Sequence, residues 1–417
     1  MKYMHDKFSE LQFGFRPNHR TTDSIFIFKT LINKYLSSYK KKIYVCFVDL
    51  RKAFDSIWRK ALIYKLYSNG IGKKMTNIIK MMYKNTKSAL KEDGMCSDYF
   101  EICRGVRQGD SLSPTLFNIY INDIAELFKS QNSCPLTLET SKIGSLLFAD
   151  DLLLLSESKE GLQNSIDKLS EYCDKWQLTV NCNKTKTMIL YPVNSRKKES
   201  VSFVFKNTNI ESVSQFKFLG NYITDNGSMI LSAKQLAQKA MKVLYSIKTH
   251  TSNINQLPTK LACHLFDSLV RPLLTYNSEI WYMDIYRTFY NSDSRAKKNN
   301  TETDYFNFID RSIIDRIHTK FCKFTLGLKK GASNLAARSE LGRYPVDCFI
   351  KTQSLLYEDR LRHIETSHIL KECYNVSKTL HFKGIYTWFS YIDHVRNNLD
   401  NKIVIISHLI KKITNTD

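Results

Sequence analysis

Residues 146–155 read Leu-Leu-Phe-Ala-Asp-Asp-Leu-Leu-Leu-Leu. Two apolar runs around a short polar tip form the pattern of a buried β-hairpin. An Asp-Asp pair is ordinarily a solvated turn. A solvated turn seldom has LLF before it and LLLL after it, and a carboxylate among so many apolar side chains is costly unless an opposite charge offsets it. Successive strand side chains point to opposite faces, so Asp150 and Asp151 need not contribute equally. Asp150 is the stronger candidate for direct metal contact.

Working outward, residues 43–50 (Ile-Tyr-Val-Cys-Phe-Val-Asp-Leu) read as another short buried strand, rich in β-branched and aromatic residues, that ends at Asp49. If the two segments are adjacent strands, Asp49, Asp150 and Asp151 meet at one edge of a sheet. Mg²⁺ prefers one or two carboxylates completed by phosphate oxygens and water. The arrangement is that of a two-metal phosphoryl- or nucleotidyl-transfer site.

The rest of the chain is read in the same way. Arg51 to Leu66 has helical spacing, with Trp58, Leu62 and Leu66 on one face. Pro114 opens a helix that carries Leu116, Phe117, Tyr120, Ile121, Ile124, Leu127 and Phe128, with Ser113 as its expected N-cap. A second amphipathic helix follows the hairpin (Leu162, Ile166, Leu169, Cys173, Trp176). Residues 187–191, 201–205 and 216–223 are strand candidates, the first two separated by the basic stretch Arg196-Lys197-Lys198. From about residue 228 the pattern is mainly helical, including a segment at 258–270 that begins with Pro. This order predicts an α+β domain followed by an α domain.

The chain has 417 residues, a length that favours two or three domains. Lys and Arg number 62 against 40 Asp and Glu, a net charge of +22 spread along the chain. Such an excess on a folded protein points to a polyanionic partner, most often nucleic acid. The 10 cysteines form no C-x-x-C pair and no zinc-finger spacing, and they read as reduced core residues of an intracellular protein. No basic-then-apolar leader opens the chain, and the apolar stretch Ile403 to Ile410 is too short to span a bilayer. The expected location is the nucleus or cytoplasm, not the secreted space.

Several segments together carry a family resemblance. Phe148-Ala149-Asp150-Asp151 resembles the metal-binding hairpin of reverse transcriptases, and VDLRKAFDSI around Asp49 resembles their first palm motif. GVRQGDSLSPTLFNIYIND (105–123) is similar to the next palm motif, LTVNCNKTKTMIL (178–190) to the lysine-bearing motif after it, and FKFLGNYI (216–223) to the primer-grip segment. QFGFRPNHRTTDSIF (12–26) resembles a fingers motif, and LPTKLACHLFDSLVRPLLTYNSEIWY (257–282) a thumb. The wording GFRP, AFDS, RQGDSLSP and FADD is most similar to reverse transcriptases of non-LTR (LINE-type) retrotransposons and to the related group II intron enzymes. The motifs are individually moderate signals, and their order makes them a strong one.

The resemblance implies a right-hand polymerase, with partial fingers and palm over 1–225 and a helical thumb over 226–287. Residues 288–304, polar and Asn-rich with Lys297-Lys298, read as a linker, and 305–417 as a basic helical C-terminal region. The resemblance also implies an RNA-directed DNA polymerase acting on an RNA template, a DNA primer or target and dNTPs, with Mg²⁺ (Mn²⁺ as the alternative) on Asp49, Asp150 and Asp151. Phe54 would be the steric gate against a ribose 2′-hydroxyl, where the plain alternative is a core Phe. Leu50, Arg107, Gln108 and Gly109 would line the incoming-nucleotide pocket, where the alternative is simple helix entry capped by Asp110 and Ser113. Lys184 would act at the pyrophosphate as general acid or charge stabiliser, or else belong to an ordinary basic loop. Phe218, Leu219 and Gly220 would hold the primer end, and Arg16 and His19 would meet template phosphates.

The chain begins almost at GFRP and carries no upstream fingers hairpin, endonuclease domain or C-terminal Cys/His knuckle of the family pattern. The expectation is therefore a piece or derived copy of a longer element protein. The competing function is a catalytically silent nucleic-acid-binding remnant. A viral-type RNA-dependent RNA polymerase is disfavoured by Ala149 before the Asp pair and by the bulk of Phe54.

Overall fold

The computed structural model describes residues 7–193, 195, 199, 201–250, 257–292, 311–365 and 368–400. The chain forms two compact units, one of Met1–Ser24 with Tyr35–Ser214 and the other of Ile25–Lys34 with Gln215–Asp417. Arg196-Lys197-Lys198, Ile403 to Ile410 and residues 293–304 of the expected linker lie outside the described residues. Residues 288–292 end a helix.

The first unit is built on a six-stranded sheet. Its strands are β1 (Ile43–Asp49), β2 (Ser145–Phe148), β3 (Asp151–Ser156), β4 (Lys186–Leu190), β5 (Phe203–Phe205) and β6 (Thr208–Ser212), in the order β5–β6–β4–β1–β3–β2. Only β4 and β6 run parallel. β1 is buried from Ile43 to Val48, which explains its near-continuous apolar run, and only Asp49 at its end reaches partial exposure. The helix Lys159–Trp176 packs on β1 and β3. Ser158 caps it by accepting the Gly161 N–H, and Leu162, Ile166, Leu169, Cys173 and Trp176 form its buried face.

Two expected helices differ in the fold. Arg51 to Leu66 is not continuous: Lys52 takes a left-handed φ of 49°, Ala53–Ser56 makes one turn, Trp58 is extended, and a new helix runs Arg59–Ser68. The cause is tertiary. The carbonyls of Phe54 and Ile57 accept the N–H groups of Val106 and Gly105, both at 2.9 Å, instead of continuing a helix. Leu62 and Leu66 are buried as expected, but half-buried Trp58 stands outside their helix. The segment after Pro114 forms helices Ser113–Ile121 and Ile124–Leu127. Between them Asn122 accepts the Ser9 N–H and Asp123 accepts Lys65 and the Tyr172 hydroxyl. Ser113 is not the N-cap. It lies inside the helix, and its hydroxyl donates to the Arg107 carbonyl at 2.5 Å.

In the second unit, residues 216–223 do not form one strand. Gln215–Phe218 and Asn221–Thr224 pair as a hairpin whose connecting residues, Leu219 and Gly220, have φ of 45° and 81°. Two positive φ values in a two-residue loop define a type I′ connection. The hairpin packs on the long helix Ile230–His250, within the unit that takes in Gln215–Asp417. The segment after Pro258 is helical over Thr259–Leu265, widens into a π turn at Phe266–Val270 and continues through Arg271–Leu274. Helices Ile313–Thr325, Asn334–Glu340, Val346–His363, Ile369–Phe382 and Trp388–Asp400 follow. Trp281, Tyr282, Trp388 and Tyr391 lie at the centre of this unit's core, and Phe26, from the first quarter of the chain, meets Trp388 edge-on at 5.0 Å. Among the described residues no helix is long and apolar enough to cross a membrane. None of the ten cysteines forms a disulfide among the described residues. Cys46, Cys173, Cys322 and Cys373 are buried as expected, whereas Cys96 and Cys103 are exposed.

Candidate active site

β1 and β3 are antiparallel neighbours, and their register puts Asp49 opposite Asp151. Phe148 pairs with Asp151, which leaves Ala149 and Asp150 as a two-residue loop at the tip of the β2–β3 hairpin. Three carboxylates from two distant segments thus meet at one edge of the sheet. A cleft of about 420 Å³ opens there, lined by Asp49, Leu50, Phe54, Gln108, Asp150 and Lys184 among others.

Each wall of the cleft is set by local bonds. The loop bearing Lys184 is tied to the end of β1: Asn181 donates its N–H to the Asp49 carbonyl (2.8 Å), Arg51 donates to the Thr179 carbonyl (2.7 Å), and the Asp49 N–H reaches the Thr185 hydroxyl (3.2 Å). Gln108 reaches the cleft with its amide held by Asp55 at 3.0 Å. Gly109 has a φ of 82°, a conformation that side chains disfavour, and among the described residues no atom beyond its own chain neighbours stands within 4 Å of where a Cβ would lie. The Phe54 ring is stacked on Phe117.

The electrostatics are those of crowded carboxylates. Burial, and then the Asp49 charge, raise the Asp150 carboxyl above its ordinary range, against a backbone hydrogen bond that lowers it. Burial of its carboxyl, with the charges of Asp150 and Asp49, pushes Asp151 up to about 6. A cation would relieve this repulsion. Among the described residues no group of three or more His, Cys, Asp and Glu is placed to cage a metal unaided. A Mg²⁺-like ion does not need such a cage, since one or two carboxylates suffice when substrate phosphates and water complete the shell. The carboxylates therefore fit a divalent cation shared with a phosphate substrate.

The other expected residues fall elsewhere. Arg107 does not line the cleft: its guanidinium donates to the Met82 carbonyl (2.8 Å) and lies over the Tyr83 ring. Asp151 and Gly109 are also absent from the cleft lining. Arg16 donates to the carbonyls of Ser9 (2.7 Å) and Gln12 (3.0 Å), and His19 contacts the Pro17 carbonyl through Nδ1. Phe218, Leu219 and Gly220 lie at the hairpin turn of the second unit, where the Tyr276 hydroxyl donates to the Leu219 carbonyl. Sequence reasoning missed Arg51, Lys52, Ala53, Asp55 and Asn181, all of which line the cleft. Their signal was adjacency, for each lies inside a motif already singled out.

A mixed sheet with its carboxylates gathered at one edge, beside an open cleft, is a layout suited to cation-assisted phosphoryl or nucleotidyl transfer. The family model described as "Reverse transcriptase (RNA-dependent DNA polymerase)" matches residues 1–223, and the chain belongs to that family. It stands with the non-LTR retrotransposon enzymes. It is 34% identical over 187 residues to the Retrovirus-related Pol polyprotein from type-1 retrotransposable element R2 of Nasonia vitripennis, a match covering 43% of this chain and 18% of that protein. It is 31% identical over 183 residues to the RNA-directed DNA polymerase from mobile element jockey of Drosophila funebris, covering 42% of this chain and 19% of that protein. The matched stretches thus span less than a fifth of these two relatives' length. Among solved structures, apo telomerase from Candida tropicalis is similar at 14% identity with a TM-score of 0.41, covering 89% of this chain and 59% of that chain. The reverse transcriptase family uses divalent metal ions.

Proposed function

We propose that this chain is an RNA-directed DNA polymerase, extending a primer 3′-hydroxyl with dNTPs on an RNA template, with Mg²⁺ as its ion and Mn²⁺ as a substitute. One observation carries the reading: Asp49 and Asp150, from separate segments, line one cleft with Phe54, Gln108 and Lys184. Divalent ions bound there would activate the attacking hydroxyl and steady the leaving pyrophosphate.

The protein's own groups supply the rest. Asp49 and Asp150, with Asp151 as the secondary ligand, would hold the divalent cation to which the reacting phosphates bind. Lys184 places a positive charge where the pyrophosphate departs and can give it a proton. Phe54, braced by Phe117, occupies the volume a ribose 2′-hydroxyl needs. Leu50, Gln108 and Gly109 shape the nucleotide pocket, and Gln108 is oriented by Asp55. Arg107 acts on that pocket through the loop it anchors. Phe218, Leu219 and Gly220 take the primer end. Arg16 and His19 take template phosphates, Arg16 also by holding its own segment together. The basic excess grips the duplex backbone without reading sequence.

The test is primer extension on an RNA template, comparing the full chain with Asp150→Ala. The expected result is extension by the wild type and none by the variant. A folded wild type as inert as the variant, yet binding RNA in a salt-sensitive way, would instead establish the silent nucleic-acid-binding reading.

A further inference from the structure

We propose that Gln12 is a positioning residue for Asp150, holding the turn that carries this carboxylate; the proposal rests on the polymerase reading of the cleft. Gln12 is 1% exposed. Its Oε1 accepts two backbone N–H groups, from Gly14 at 2.9 Å and from Ala149 at 3.1 Å. Its Nε2 has no hydrogen-bond partner among the described residues, so the buried amide serves through its oxygen. Ala149 immediately precedes Asp150 and has a φ of 56°. Left-handed backbone is unfavourable for a residue with a Cβ and persists where surrounding contacts over-determine it.

Those contacts come from residues 11–14. Leu147 donates its N–H to the Leu11 carbonyl and accepts the Phe13 N–H, both at 2.8 Å, so the segment is zipped to β2 beside the turn. A Cβ on Gly14 would stand 2.2 Å from the Ala149 nitrogen, so only glycine allows this approach. Fully buried Asn118 donates from Nδ2 to the Gly14 carbonyl at 2.7 Å, fixing the segment from the other side. The turn that aims Asp150 is therefore held by an amide remote in sequence, with Ala149 in the geometry a two-residue hairpin asks of a glycine. Losing the Gln12 oxygen frees Ala149 to relax and turns Asp150 away from Asp49.

The experiment uses the full chain and two readouts: Mn²⁺ affinity from the paramagnetic resonance of the free ion, and kcat and KM for primer extension. Gln12→Met keeps volume but removes the acceptor. Folded Gln12→Met is expected to bind Mn²⁺ and turn over about tenfold less well, in the range seen when an outer partner of a metal ligand is lost, with the KM for dNTP little changed. Adding Ala149→Gly, for which the left-handed turn costs little, is expected to restore most of the loss. Asn118→Ala, acting on the same turn through Gly14, is expected to shift Mn²⁺ affinity in the same direction, and it carries the test if Gln12→Met does not fold. Wild-type Mn²⁺ affinity in folded Gln12→Met, no recovery on adding Ala149→Gly, or wild-type affinity in folded Asn118→Ala would each overturn the proposal. A wild type that binds Mn²⁺ and extends no primer overturns the polymerase reading alone.

Discussion

The ring of Phe54 lies almost flat on that of Phe117, 4.7 Å between centroids and 18° between planes, and Phe15 meets Phe54 edge-on at 6.1 Å. Phe117 is fully buried, so the orientation of Phe54 is set by the core before any nucleotide arrives. Such a stack contributes about 0.5–1.5 kcal/mol beyond area burial. Phe54→Val should raise ribonucleotide incorporation relative to deoxynucleotide by roughly 10–100-fold, the scale of a lost hydrophobic pocket contact. Phe117→Leu, which removes the platform and leaves Phe54 in place, should relax discrimination less. Single-nucleotide incorporation with dNTP and rNTP measures both, and an unchanged preference in Phe54→Val removes the gate role.

Asp150 and Asp151 are adjacent in sequence and unequal in place. Asp150 occupies the hairpin loop and lines the cleft, whereas Asp151 is a ladder residue opposite Asp49 and does not. Asp150→Asn should lower kcat by about 10²–10³, the equivalent of several kcal/mol of transition-state charge stabilisation. Asp151→Asn should cost less, because Asp151 does not line the cleft. Equal losses under single-turnover conditions would contradict this division of roles.

The carboxylate edge was legible because strand period and apolar flanks report burial locally, and Asp49 ends a run that reads as a buried strand. Where the reading failed, the cause was a long-range contact. The helix expected at 51–66 breaks because Gly105 and Val106 take its carbonyls. Ser113 is no cap because the Arg107 carbonyl draws its hydroxyl inward. Leu219-Gly220 could have been read as a turn, since Gly in a strand pattern marks a bend, but Leu at positive φ gives no such local sign. Gln12 opens the segment that resembles a fingers motif, but nothing local marks its tie to Ala149, far along the chain.

Lys29 and Asp284 form an ion pair at 2.7 Å inside the second unit, with side chains 5% and 9% exposed. Lys29 also donates to the Gly227 carbonyl, and Asp284 accepts the Met229 N–H. Asp284→Ala strands the Lys29 charge in the core and should cost about 3–5 kcal/mol. Lys29→Met with Asp284→Leu should recover much of that loss, because apolar replacement removes both desolvation costs. Denaturant unfolding of the two variants checks the pair, and a double variant no more stable than Asp284→Ala refutes the account.

Asp315 supplies a pH-dependent prediction. It is buried, its Oδ1 accepts the Val346 N–H at 2.7 Å, and its Oδ2 has no hydrogen-bond partner among the described residues. Burial and the charge of Asp347 raise its carboxyl to about 7, against lowering by backbone hydrogen bonds and by Arg338. The unfolded chain releases this proton near 3.9. Between those values the native state holds more protons than the unfolded state, so this group's contribution to stability falls as pH rises from about 4 to about 7. His318 has the opposite sign: burial and nearby arginines lower it to about 3, so its contribution rises with pH up to its ordinary value. The two slopes overlap, and the total pH curve does not isolate either. The difference between wild type and Asp315→Asn does, because the amide keeps the acceptor for Val346 and cannot ionise. The Tm of the variant relative to wild type should rise by about 5 °C or more between pH 5 and pH 8. A constant offset across that range would mean that Asp315 titrates as an ordinary carboxylate and that its burial is relieved in solution.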